Sequence, residues 1–199
     1  MDEQADLLPK FSPPHPTEPR HTTGLLPSQV IGEMIRSHEI TSIGQILNAQ
    51  VQPASLDLRL DKVAYRVRSS FLPGPDRKVR EKLEDLTMGE IDLSRGALLE
   101  KECVYIVPLK EGLALSSRIA AVANPKSSIG RLDIFTRLIT DRAAEFDRVS
   151  CGYQGPLYAE ISPRAFSVVV REGSCLNQLR LRRGNPNSCL LYTSDAADE

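Results

Sequence analysis

The residues able to do chemistry crowd between Asn124 and Arg183, in a stretch that opens with NPKSSIGRLDI, runs through FDRVSCGYQGPLYAEI and closes with FSVVVREGSCLNQLRL. Lys126-Ser127-Ser128-Ile129-Gly130-Arg131 supplies two cations, two hydroxyls and a glycine that permits close backbone approach. Phosphate oxygens need such a set of donors. The G-x-x-x-x-G-K-[ST] spacing of a Walker loop is absent, and an ordinary surface loop would hold the same residues. Further on, Leu157-Tyr158-Ala159-Glu160-Ile161 has the texture of a strand. Alternation sends Leu157, Ala159 and Ile161 to one face and Tyr158 and Glu160 to the other. A glutamate there faces solvent, closes a structural ion pair, or faces a site. In the last case a semi-buried carboxylate holds its proton more tightly, which suits a general base near neutral pH.

Asp141-Arg142 and Asp147-Arg148 are acidic-basic doublets; either they pair at the surface or an arginine reaches a ligand. Arg171, Arg180, Arg182 and Arg183 crowd the end, where core packing with solvated charges accounts for them. His15, His21 and His38 fall outside this block. With no H-x-E, P-C-x-x-C or H-E-x-x-H pattern, a catalytic zinc has little support and no metal-ligating residues are assigned.

These groups need elements to hold them. Residues 1–27 are rich in proline and read as a flexible or surface-draped arm, since proline lacks an amide donor. Ser28 reads as an N-cap, and Val30, Ile31, Met34 and Ile35 recur at helical spacing, which predicts a short helix to about His38. Thr41–Leu47 reads as a further turn or two of helix. Ser55–Leu60 and Val63–Val67 alternate as half-buried strands do. Asp76–Leu86 is a helix or a loop excursion. Short strands are then expected at Glu90–Leu93, Cys103–Pro108, Leu113–Ser116, Ile119–Ala123, Leu157–Ile161, Phe166–Val170 and Cys175–Leu181, punctuated by Gly96, Gly112, Gly152, Gly155 and Gly173. Many short strands with turn signals between them predict an all-β barrel or sandwich. Residues 185–199 (NPNSCLLYTSDAADE) do not continue this grammar and read as a non-native tail.

Bulk properties exclude several classes. The 199 residues fit one domain with appendages, and 41% hydrophobic residues suffice for a core. A net charge of -1, from 25 basic and 26 acidic side chains, leaves no footprint for DNA or RNA. No apolar run approaches the ~18 residues of a membrane span. The start, MDEQADLLPK, lacks the features of a secretory signal. Cys103, Cys151, Cys175 and Cys189 form no C-x-x-C pair and read as reduced thiols of a cytoplasmic protein.

From Ser28 to Gly184 the motifs resemble those of the dCTP deaminases, of the dUTPase-like trimeric β-barrel superfamily. Gln52–Leu60 (QPASLDLRL) resembles that family's early P-x-S-x-D-L-R-L strand, Ser127–Leu132 its S-S-x-x-R-L phosphate loop, and Gly152-Tyr153-x-Gly155 followed by Glu160 its G-[WY]-x-G…E segment. The Arg142–Phe146 insert and the SPRAFSVVVREGSCLNQLRLRRG run are closest to a longer form with two fused barrels, of which this chain would hold the first. The resemblance implies a mainly β fold, a distorted barrel or jelly roll with short N-terminal helices over residues 28–184. It implies that Glu160 activates water and Ser127 helps hold that water or the base. Lys126, Ser128 and Arg131 take the place of the triphosphate ligands within the turn that also holds Ile129 and Gly130. Lys126 stands where arginine is usual, losing the bidentate fork. Arg148 matches an arginine lining the site, and the backbone of Tyr158 and Ala159 would meet the pyrimidine edge. The implied ligand is dCTP, with dUTP and dTTP as relatives; Mg²⁺ would arrive on the triphosphate, without zinc. The implied assembly is a homo-oligomer, either a trimer or its two-barrel equivalent. A dUTP pyrophosphatase needs an aspartate where Ser150 stands, so that alternative is disfavoured; Asp141 or Asp147 would have to replace the aspartate that touches deoxyribose. A non-catalytic nucleotide-binding or assembly barrel is the remaining alternative. If the chain is truncated, weak or absent activity follows for it.

Overall fold

Two antiparallel sheets of six strands each enclose the core of the computed structural model, which describes residues 23–184. In chain order the strands are β1 (Gly24–Leu25), β2 (Ile40–Ser42), β3 (Val51–Gln52), β4 (Ser55–Arg59), β5 (Val63–Val67), β6 (Thr87–Asp92), β7 (Ala97–Leu99), β8 (Val104–Ala114), β9 (Ile119–Pro125), β10 (Ile134–Thr140), β11 (Arg148–Val149), β12 (Gln154–Pro163), β13 (Val168–Val170) and β14 (Cys175–Arg183). The first sheet runs β11-β9-β14-β4-β3, with β1 on the end of β14. The second runs β10-β12-β8-β5-β6, with β2 added to β8. A Leu60–Leu109 bridge links the sheets, while β7 and β13 form a small separate pair. The helices are α1 (Ser28–Arg36), α2 (Val79–Leu86) and the single turn α3 (Ser127–Gly130).

Alternation explains why these segments become strands. Leu56, Leu58, Leu179 and Leu181 from the first sheet meet Tyr105, Val107, Leu138, Leu157, Ala159 and Ile161 from the second, all nearly or fully buried. Each large aliphatic chain so buried contributes about 1.5–3 kcal/mol. A second cluster of Val67, Val79, Leu83, Ile106, Ile139 and Tyr158 forms around α2. Tyr158 therefore leaves the main core, as alternation requires, yet is sheltered from water. Burial pushes its hydroxyl up to about 12.

The mainly β class and the distorted jelly-roll form are as expected, and several local expectations need correction. Residues 1–22 of the proposed arm and the 185–199 tail lie outside the described residues. Gly24–Leu25 is a strand pairing with Arg182–Arg183, and Leu26 is buried, so the end of that arm belongs to the sheet. Pro27, not Ser28, caps α1; its fixed φ of -75° suits the extended cap conformation. Ile40–Ser42 is a strand on β8, where a helical turn was expected. The expected strands Cys103–Pro108 and Leu113–Ser116 are one, β8, with Gly112 inside it. Gly112 is there because space is short: a Cβ would stand 2.9 Å from Thr41 Oγ1. β10 lies outside the strands that the residue pattern predicts.

Candidate active site

The polar positions of SLDLRL are spent on structure. Ser55, Asp57 and Arg59, the polar face of a strand expected to be half-buried, are all buried. Glu111 of β8 accepts from Arg59 N at 2.7 Å, Arg59 Nε at 2.8 Å and Gln50 Nε2 at 3.0 Å. The Arg59 guanidinium also donates to Gln45 O at 3.0 Å and Ser42 Oγ at 2.7 Å. A buried ion pair is tolerable only with its remaining donors and acceptors satisfied in this way. Asp57 accepts from the Lys126 ammonium, which ties the base of the serine turn to β4.

The turn itself is held by its ends. Lys126 N donates to Leu176 O at 2.8 Å, and Ile129 N returns to Lys126 O at 2.9 Å. Ser127, Ser128, Gly130 and Arg131 are exposed and Ile129 is half-buried against the core. Hydroxyls and the Arg131 cation are thus offered to solvent, while Lys126 is half-buried and shares its charge with Asp57.

Glu160 is 1% exposed on β12, a middle strand of the second sheet. Its register partners are Arg137 on β10 and Ile106 on β8. Arg137 Nη2 donates to Glu160 Oε1 at 2.6 Å and to Ser70 Oγ at 2.8 Å. The guanidinium stacks 3.5 Å from the Phe146 ring centroid and 4.7 Å from that of Phe135. Glu160 Oε2 is buried without a partner from the described residues. Asp147 stands beside this pair. Its carboxyl accepts from Leu138 N at 2.7 Å, its own N–H donates to Leu138 O at 2.9 Å, and its carbonyl accepts from Ala123 N at 2.8 Å. Burial chiefly pushes the Asp147 carboxyl up, and Glu160 adds to this; the Leu138 amide and Arg137 pull the other way.

Two cavities divide the expected residues. One of about 520 Å³ is lined by Gly130 of the serine turn, Asp133, Thr136, Arg137, Asp147 and Arg164 among others. It joins the end of the turn to the arginine that holds Glu160. The other, of about 930 Å³, takes in Arg148, Ser150, Arg142, Tyr153 and Arg182. Arg148 is exposed and pairs with Glu145 at 2.9 Å. Tyr158 and Ala159 are interior ladder positions, paired with β10 and β8, and neither lines these cavities. Asp141 accepts from Val79 N at 2.8 Å and so secures the start of α2. Both aspartates considered for sugar contact have structural partners. Among the described residues no group of three His, Cys, Asp or Glu is placed to hold a metal ion, and Cys103, Cys151 and Cys175 are free thiols.

Arg137 and the strand that carries it are what the residue pattern did not disclose. The signal was present: Ile134, Thr136 and Leu138 alternate with Phe135, Arg137 and Ile139. An arginine on the outer face of a strand reads as solvated, and only the cross-strand register puts it against Glu160.

Facing six-stranded sheets, a buried carboxylate–guanidinium pair and a serine turn at the end of β9 define a distorted β-jelly-roll with a candidate polar site. Within that class, residues 22–185 match the family model described as the 2'-deoxycytidine 5'-triphosphate deaminase (DCD) N-terminal domain, and the chain belongs to that family. The 2'-deoxycytidine 5'-triphosphate deaminase of Agrobacterium tumefaciens is similar at 57% identity and a TM-score of 0.81, over 82% of this chain and 49% of that one. This chain therefore spans about half the length of that relative. Two dUTPases align more loosely. That of EIAV has 15% identity and a TM-score of 0.38, over 63% of this chain and 92% of its own. A mutant dUTPase from phage phi11 of S. aureus has 14% identity and a TM-score of 0.36, over 61% of this chain and 90% of its own. No curated protein matches the chain. No described helix is long and apolar enough to cross a membrane.

Proposed function

We propose that the chain is a catalytic barrel unit of a dCTP deaminase, converting dCTP and water to dUTP and ammonia. The observation that carries this reading, given the family, is Glu160: a buried carboxylate with Oε1 engaged by Arg137 and Oε2 without a partner among the described residues. Glu160 takes a proton from water as the water oxygen bonds to C4 of cytosine. The carboxyl group then passes that proton to N3; it next carries the proton of the new C4 hydroxyl to N4, and the C4–N4 bond breaks as C4=O forms and ammonia leaves. Such a positioned acid-base group contributes about 10²–10⁴-fold to a rate. Ser127 helps hold the water or the base, and Ser128 and Arg131 bind the triphosphate beside the half-shared charge of Lys126. Ile129 and Gly130 complete that turn. Tyr158 and Ala159 are assigned to the pyrimidine edge through their backbone. Arg148 and Ser150 line the nucleotide cavity, and deoxyribose selection falls to the groups around it.

Mg²⁺ belongs to this reading as a companion of the triphosphate, coordinated by phosphate oxygens and neutralising their charge. The protein's own part of the chemistry is zinc-independent hydrolysis of a cyclic amidine C–N bond. The division of the expected residues between two cavities supports a site completed by a neighbouring barrel, in a homotrimer or its two-barrel equivalent. A cytoplasmic location fits a nucleotide substrate. Glu160→Gln removes the proton acceptor while keeping the shape of the side chain. Turnover of dCTP should then fall at least about 10²-fold, with calorimetric dCTP binding retained. Undiminished ammonia release would refute the role given to Glu160.

A further inference from the structure

We propose that Arg137 is a positioning residue for this chemistry: it ties down Oε1 of Glu160, so that protons are exchanged through Oε2 alone. The inference rests on the reading of Glu160 as the proton carrier. A carboxylate offers two oxygens, and a general base that can rotate exchanges protons from either, in competing orientations. Here the choice is made by contacts. Arg137 lies directly across the ladder from Glu160 and donates to Oε1 at 2.6 Å. The guanidinium cannot easily leave that position. Ser70 Oγ accepts from the same nitrogen at 2.8 Å, and Phe146 covers its plane at 3.5 Å, with Phe135 at 4.7 Å. Arg137 Nε has no partner among the described residues; the plane is held by the aromatic faces and by the bonds at Nη2.

Asp147 stands beside the pair, and its own raised carboxyl feels both the Glu160 charge and the Arg137 cation. Tyr158, two residues before Glu160 on the same strand, has Tyr65 of β5, Arg80 and Asp141 for ionisable neighbours. Of these only Arg137 hydrogen-bonds the Glu160 carboxyl group. Arg137 does not need to touch the nucleotide to act, which separates its role from that of Arg131.

The test compares Arg137→Met, which removes the charge, with Arg137→Lys, which keeps a charge but loses the planar fork and much of the stacking. The first measurement is the carboxyl ¹³C resonance of Glu160 by NMR in the intact protein, assigned with Glu160→Gln. It does not depend on turnover. Freed from the bond at Oε1, the Glu160 carboxyl resonance of Arg137→Met should shift and broaden, and Arg137→Lys should restore most of the parental signal. The second is the split between kcat and KM for dCTP: in Arg137→Met kcat should fall about tenfold or more with KM little changed, and Arg137→Lys should recover much of kcat. A Glu160 resonance and kcat unchanged in Arg137→Met overturn the proposal. If Arg137→Met does not fold, Arg137→Gln decides by the same two readings, and an unchanged resonance and kcat there overturn it. A parent protein silent towards dCTP refutes the deaminase reading instead, and the carboxyl resonance still decides whether Arg137 holds Glu160.

Discussion

Asp147 sits at φ 61° with its carboxyl pressed against the Leu138 amide and close to the Glu160–Arg137 pair. Burial is the largest cause of the upward displacement of its carboxyl, and the charge of Glu160 reinforces it. The folded state therefore holds the Asp147 proton more tightly than the unfolded chain does, for which the value is about 3.9. With more protons bound in the folded state, this group's contribution to stability declines as pH rises from about 3.9 through the folded value. Above that window the destabilisation is fully expressed. Asp147→Asn keeps an acceptor for the Leu138 amide and tolerates the left-handed backbone, but removes the charge. The variant should melt above the parent at about pH 7, and the gap should close towards about pH 4. Thermal melts across that range check it; a gap that does not change with pH removes the explanation. Glu160, by contrast, has a neighbour in Arg137 that compensates its charge, so the two nearby carboxylates are set apart by what each is bonded to.

At the scale of elements, β8 organises the molecule. It pairs with β12 on one side and with β5 and β2 on the other, and carries Glu111 to the Arg59 network. Its length depends on Gly112. A Cβ there would meet Thr41 Oγ1 at 2.9 Å and Gly155 O at 3.4 Å, so Gly112→Ala forces the Thr41 side chain, or the strand that carries it, to move. Overpacking of this kind costs about 1–3 kcal/mol. Urea denaturation of Gly112→Ala should show that loss, and Thr41→Ala in the same chain should recover most of it by removing the closer atom. Failure of the second substitution to recover stability would place the strain elsewhere. The element that matters most for the site is β10. Its open edge is covered by Asp147, which exchanges bonds with Leu138, and its inner register sets Arg137 opposite Glu160. One residue of slip would send Arg137 into the core face and Leu138 outward.

For the whole molecule, two sheets packed face to face fix what one barrel can complete alone. Gly130, Arg137 and Asp147 share one cavity, while Arg148 and Ser150 line another. The proposed assembly brings such groups together across barrels. It predicts that the intact protein sediments as a trimer or as its two-barrel equivalent, where one chain alone weighs 22.0 kDa. Sedimentation equilibrium checks this; a monomeric single barrel that turns over dCTP at full rate would contradict it. The chain's residue order by itself determined the alternating strands expected at Ser55–Leu60, Val63–Val67 and Cys175–Leu181, the serine turn, and the candidacy of Glu160, because alternation and donor chemistry are local properties. It did not reveal β10, the passage of β8 through Gly112, or the burial of Asp57 and Arg59. Those depend on which strands become neighbours. Arg137 looks like any solvated arginine until the ladder sets it against Glu160, and Lys126 looks free until β4 brings Asp57 to it. Partners separated by long stretches of chain are chosen by register and packing, and that choice is made only in three dimensions.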